Sequence, residues 1–104
     1  MKPQRGLDVF RTSGDTDAVV FVLTYVDDTG TVVVPNTATV RLNILSASAI
    51  RITGTSDNGG TGKFSFAAAT LPTIAGRYDY DIDFNDGTSL RTLCSGKLVI
   101  YAKV

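Results

Sequence analysis

Three aspartates at alternate positions, Asp79, Asp81 and Asp83, form the densest set of chemically capable side chains in this sequence. The spelling Asp-x-Asp-x-Asp resembles the start of an EF-hand calcium loop. Such a loop then requires glycine at its sixth place and a bidentate glutamate at its twelfth. Those places hold Phe84 and Leu90. On a strand, alternate side chains point the same way at intervals of about 7 Å, too wide for three carboxylates to grip one ion directly. The spacing therefore makes an acidic stripe. It reads first as a solvated face with cross-strand Arg or Lys partners, Arg91 and Lys97 being nearest in sequence. A calcium site and an electrostatic docking surface are the other readings of the same stripe.

Other chemistry is sparse. Histidine is absent, which removes Ser-His-Asp and Cys-His constellations and histidine metal sites together. Cys94 is the single cysteine and lies in an apolar run. It has no intramolecular disulfide partner and reads as a buried thiol rather than a nucleophile. Gly59-Gly60-Thr61-Gly62-Lys63-Phe64 glances at a phosphate loop. However, Asp57 stands where the first glycine belongs, and Phe64 cannot hold magnesium, so the segment is expected to be a turn. Tyr25, Tyr78, Tyr80 and Tyr101 occupy alternating strand positions and are expected to pack in the core. A sugar-binding platform would need aromatics exposed together on one face. These readings predict no catalytic residue, no metal and no cofactor.

The elements that must position these residues are strands, because apolar residues recur with period two almost throughout. Tyr78, Tyr80, Ile82 and Phe84 alternate with Arg77, Asp79, Asp81 and Asp83, so the aromatic set is expected inward and the acidic set outward. Ala38, Val40, Leu42 and Ile44 alternate with Thr37, Thr39, Arg41 and Asn43 in the same way. The run 19–26 is apolar on both faces, with Val19, Phe21, Leu23 and Tyr25 on one and Val20, Val22 and Val26 on the other, so it reads as covered on both sides. Lys97 to Ala102 forms a last long strand, and shorter ones are expected at 7–12, 31–34, 50–53, 63–67 and 89–94.

Turn chemistry separates the strands: Asp27-Asp28-Thr29-Gly30, Pro35-Asn36, Asp57-Asn58-Gly59-Gly60 and Asn85-Asp86-Gly87. No helical period of useful length appears, and Ala67-Ala68-Ala69 has room for one turn before Pro72. Turn signals every 8–12 residues or so predict an all-β fold, an immunoglobulin-like antiparallel β-sandwich of about seven to nine strands.

Length and charge bound the partners. The 104 residues suit one domain spanning 1–104, in which the polar segment 1–6, carrying Lys2 and Arg5, reads either as an N-terminal arm that reaches a neighbouring subunit or as a loose tail. Ten basic residues cancel ten acidic ones. The basic surplus that displaces counterions from nucleic acid is therefore missing, and neither nucleic acid nor membrane is an expected partner. All the acidic residues are aspartate, which favours turns over helices. The N-terminus carries no apolar signal segment, and the apolar run at Ala18–Leu23 is far too short to span a bilayer.

The order of motifs carries a resemblance. Gly14-Asp15-Thr16 leads into an apolar strand that ends at Asp28-Thr29-Gly30. Thr39-Val40-Arg41-Leu42, Thr61-Gly62-Lys63-Phe64-Ser65-Phe66 and Ala75-Gly76-Arg77-Tyr78-Asp79-Tyr80-Asp81-Ile82 follow. Asp86-Gly87, Arg91-Thr92-Leu93 and Gly96-Lys97-Leu98-Val99-Ile100 close the series. From about Phe10 to Tyr101 the chain resembles the N-terminal immunoglobulin-like domain of phage baseplate upper proteins and, more broadly, small immunoglobulin-like virion proteins. The resemblance implies a non-enzymatic structural protein that docks onto other virion proteins, is oligomeric in the assembled particle, and is made in the host cytoplasm. Baseplate upper proteins continue into a receptor-binding module, whereas this chain stops, so a neck or capsid-decoration component stands beside a baseplate or tail one. Candidate interaction residues are Lys2 and Arg5 on the arm and Asp79, Asp81 and Asp83 on the stripe. The alternative function is a carbohydrate- or receptor-binding β-sandwich.

Overall fold

A computed structural model describes residues 4–5, 8–45, 50–57, 59–85, 87–88 and 90–103. In chain order the strands are β1 (Gln4–Arg5), β2 (Val9–Thr12), β3 (Val19–Val22), β4 (Thr24–Asp27), β5 (Gly30–Val33), β6 (Thr39–Ile44), β7 (Ile50–Thr53), β8 (Thr55–Ser56), β9 (Lys63–Phe66), β10 (Gly76–Asn85) and β11 (Leu90–Tyr101). The helix among them is a single 3₁₀ turn at Ala68–Thr70, as short as Pro72 requires. There are more strands than the seven to nine expected. Val19–Asp27 divides at Leu23, where its backbone changes partners, and the segment from Ile50 divides at Gly54.

A six-stranded sheet runs β1-β11-β10-β6-β7, with β2 also paired to β11. The pairs β11–β10, β10–β6 and β6–β7 are antiparallel. The expectation of a purely antiparallel fold needs correction, because both β1 and β2 run parallel to β11. Nothing local in a sequence encodes such long-range pairing. A three-stranded sheet, β3-β9-β8, and a two-stranded one, β4-β5, complete the fold.

One core joins the sheets. Val40, Leu42 and Ile44 of β6, Tyr80, Ile82 and Phe84 of β10, and Phe64 and Phe66 of β9 are buried together. Aromatic rings bridge the layers: Phe21 on β3 contacts Tyr80 at 5.9 Å between centroids, and Tyr25 on β4 stacks on Phe84 at 5.2 Å. Such pairs contribute about 0.5–1.5 kcal/mol each beyond area burial. The aromatic side of the stripe therefore faces inward as the alternation requires, although Tyr78 is only half-buried.

The strands expected separately at 89–94 and 97–102 are joined in one, Leu90–Tyr101, with Gly96 inside it. A Cβ on Gly96 would lie 2.9 Å from the Tyr80 ring on the neighbouring strand, so the glycine makes room for that ring. The register against β10 slips between Ile82 and Asp83, which face Cys94 and Thr92, leaving Leu93 as the extra residue of a β-bulge.

Candidate functional site

The outer face of the six-stranded sheet carries the acidic stripe. Asp79 lies opposite Lys97, and their side chains form an exposed ion pair. This is the cross-strand partner that the sequence suggested. Asp81 and Asp83 are arranged differently. Both are half-buried, and both face β6, where Asn43 lies opposite Asp81. The Asn43 side-chain amide donates to Asp81 Oδ1 at 2.7 Å and to Asp83 Oδ2 at 2.8 Å. Its carbonyl accepts from Arg51 Nε at 3.1 Å. One amide thus uses both donors on two carboxylates and its oxygen on a guanidinium, which is how a residue only 8 % exposed keeps a polar side chain. Asn43 reads as an ordinary outward position, and only the β6–β10–β7 register shows that it ties three strands.

The candidate side chains that the structure describes, Asp79, Asp81 and Asp83, do not form one site. Lys2 lies outside the described residues. Arg5 is on β1, paired with Ser95 of β11, so the 1–6 segment is at least partly laid onto the sheet. Asp79, Asp81 and Asp83 share one face but split into an ion pair and an amide bridge. Among the described residues, no three carboxylate or thiol side chains gather closely enough to hold a metal ion. An open depression of about 340 Å³ lies beside the Asp79–Lys97 pair, with Asp8, Tyr80 and Gly96 in its lining. Asp8 Oδ1 accepts from the backbone N–H of Lys97 at 3.3 Å there.

Two titratable groups lie beneath this face. Burial, with Asp81 nearby, pushes the Cys94 thiol up to about 11. Burial, then the proximity of Cys94 and Asp8, pushes the Tyr80 phenol up to about 12. At neutral pH the thiolate is therefore scarce, and with it the nucleophilic form of the cysteine.

Apolar residues that the sequence assigned to covered positions are instead exposed. Val20, Val22 and Val26 are 50 %, 67 % and 49 % exposed, so β3 and β4 are covered on one face only. Tyr101 is also exposed rather than in the core, and it stacks on exposed Phe10 with ring centroids 6.3 Å apart. Period two reports that a face is apolar; it does not report whether the rest of the chain suffices to cover that face.

No family model and no curated protein matches this sequence. Among solved structures, the N-terminal domain of phage TP901-1 ORF48 superposes with a TM-score of 0.60, covering 96 % of this chain and 90 % of that one at 13 % identity. At such low identity the likeness establishes a shared fold, and function must be argued separately.

Proposed function

We propose that this chain is a non-enzymatic structural component of a phage virion that acts by docking onto neighbouring virion proteins. The observation that carries the reading is the near-complete superposition on an N-terminal domain of a phage protein. It coincides with the independent resemblance of the motif order, from Phe10 to Tyr101, to N-terminal domains of phage baseplate upper proteins. The surface chemistry is consistent with docking on protein. Net charge is zero, so long-range attraction to phosphate is weak, and local ion pairs and exposed valines remain as contacts.

Within this reading the domain is an immunoglobulin-like sandwich. In that fold strands A, B, E and D form one sheet and C, F and G the other. On this reading β3, β9 and β8, neighbours in that order, correspond to B, E and D, and β6, β10 and β11 to C, F and G. The first long strand, β2, has crossed to the last one, β11, and runs parallel to it. That crossing removes the strand that would otherwise flank β3.

A second reading keeps one observation in its favour. Phe10 and Tyr101 are exposed, nearly parallel, and on the same sheet, as a sugar-stacking platform would need. The test is to tag the chain, purify intact particles and average them. Symmetric density at fixed positions supports the virion reading. Particles complete without the chain, together with glycan binding lost in Phe10→Ala, would favour the second.

A further inference from the structure

Among the described residues, the run from Val19 to Asp27 is paired along one edge only. Leu23 N–H donates to the carbonyl of Gly62 at 2.8 Å, and Leu23 C=O accepts from Val34 N–H at 3.0 Å. In an extended chain alternate residues present their backbone groups to the same side. Val19, Phe21 and Leu23 therefore face β9, and Leu23, Tyr25 and Asp27 face β5, on one shared side. Val20, Val22, Thr24 and Val26 present their N–H and C=O groups to the opposite side. Among the described residues no strand pairs there, since β3 ends its sheet and β4 pairs with β5 alone. The open edge, from Val20 to Val26, is about 20 Å long at the usual rise per residue.

Natural edge strands are normally blunted by lysine, proline, a bulge or a covering loop. This one has no charged residue or proline from Val19 to Val26. Its outward side chains include three exposed valines. A continuous row of unmet backbone donors and acceptors calls for one kind of ligand, an added β-strand.

The ends of the edge choose between ligands. Asp15 and Asp17 precede it, and Asp27 and Asp28 close it. Arg11 donates to the backbone carbonyls of Asp15 and Asp17, so its one positive charge offsets only part of the two carboxylates at that end, which stays acidic on balance. Two copies pairing edge to edge would bring acidic end against acidic end, whether parallel or antiparallel, and like charges facing across strands destabilise. A strand with lysine or arginine near its ends gains where a second copy loses.

We infer that the open edge of β3 and β4 binds an extended segment of a different protein, apolar at alternate positions and basic at its ends, as an added strand. The inference deepens the docking reading by naming what the docking site takes. The probe is a synthetic peptide of about seven alternating valines and threonines flanked by paired lysines, with an aspartate-flanked version as control. Both are titrated into the isotopically labelled full chain. The lysine peptide is expected to slow amide exchange at Val20, Val22, Thr24 and Val26 at least tenfold, and to bind at least tenfold more tightly than the control. Val22→Pro removes an outward N–H without touching the bonds to β9, and should abolish binding. If Val22→Pro does not fold, Val22→Lys keeps the backbone and should weaken the lysine peptide by like-charge repulsion. Three outcomes would overturn the inference: no protection at these four amides, equal binding of the two peptides, or a dimer of the chain that Val22→Pro or Val22→Lys dissociates. Failure here leaves particle incorporation as a separate test of the virion reading, and absence from particles leaves the peptide result standing.

Discussion

Asn43 shows how much a single amide can carry on this sheet. Its side chain bonds one oxygen each of Asp81 and Asp83 and the Arg51 guanidinium in a nearly dry position, while Asp83 Oδ1 stays buried without a hydrogen-bond partner. Removing it strands two half-buried carboxylates. Asn43→Ala is therefore expected to lower unfolding free energy by about 1–3 kcal/mol in urea titrations. Lys97→Ala, which breaks an exposed pair on the same face, should cost less than about 1 kcal/mol. Equal costs would mean that the amide bridge is not the firmer link. The alternation of Asp79, Asp81 and Asp83 was legible because period two needs only neighbouring residues. Asn43 was not, because its role depends on strands 38 positions apart in sequence. Cys94 and Tyr80 supply a pH signature. Folding moves the thiol from 9.0 to about 11 and the phenol from 10.0 to about 12. Between those values the unfolded chain has lost protons that the folded chain keeps. Stability contributed by these groups is thus complete below about pH 9 and falls as pH rises through 11 and 12. Cys94→Ala should remove the decline that begins near pH 9 and keep the tyrosine part between 10.0 and about 12. An unchanged slope in that variant would remove the thiol from the account.

At the scale of elements, the point where β3 hands over to β4 depends on Gly62. Its φ is +79°, and a Cβ there would lie 2.5 Å from the Leu23 carbonyl oxygen and 2.9 Å from Val33. Backbone strain and a backbone clash therefore act together, and Gly62→Ala is expected to destabilise by about 2 kcal/mol or more. Gly60→Ala is the control: its φ is also positive, at +71°, but nothing lies within 4 Å of the added atom, so the loss should be smaller. The sequence marked this segment as a turn because it failed as a phosphate loop, and the structure gives the positive reason for its glycines. Strand positions were largely legible, with β7 at Ile50–Thr53 matching its expected bounds. Partners were not, because pairing of β2 with β11 joins residues near opposite ends of the chain. The need for Gly96 was hidden for a related reason: its neighbour is Tyr80, a contact that only the β10–β11 register reveals.

On the scale of the whole molecule, an all-β chain has closed one core and left apolar surface on both outer sides. Phe10 and Tyr101 lie on one side, and Val20, Val22 and Val26 on the other. Domains that act alone rarely leave such rows uncovered, whereas components of assemblies cover them on docking. Deleting residues 1–6 tests the expected arm: reduced incorporation into particles is the outcome if Lys2 and Arg5 reach a neighbour, and unchanged occupancy would shift the docking to the sheet edge and faces. The all-β class was legible from turn spacing and alternation, while the strand pairing and the exposed surface were not, since both depend on how distant strands and sheets pack. The central claim, a structural place in a virion, is tested most directly by the copy number of the chain in gradient-purified particles. Quantitative mass spectrometry is expected to return a fixed ratio to the major capsid protein that matches a symmetric site and survives high-salt washing. A variable trace ratio that washes away, with particles otherwise complete, would contradict it.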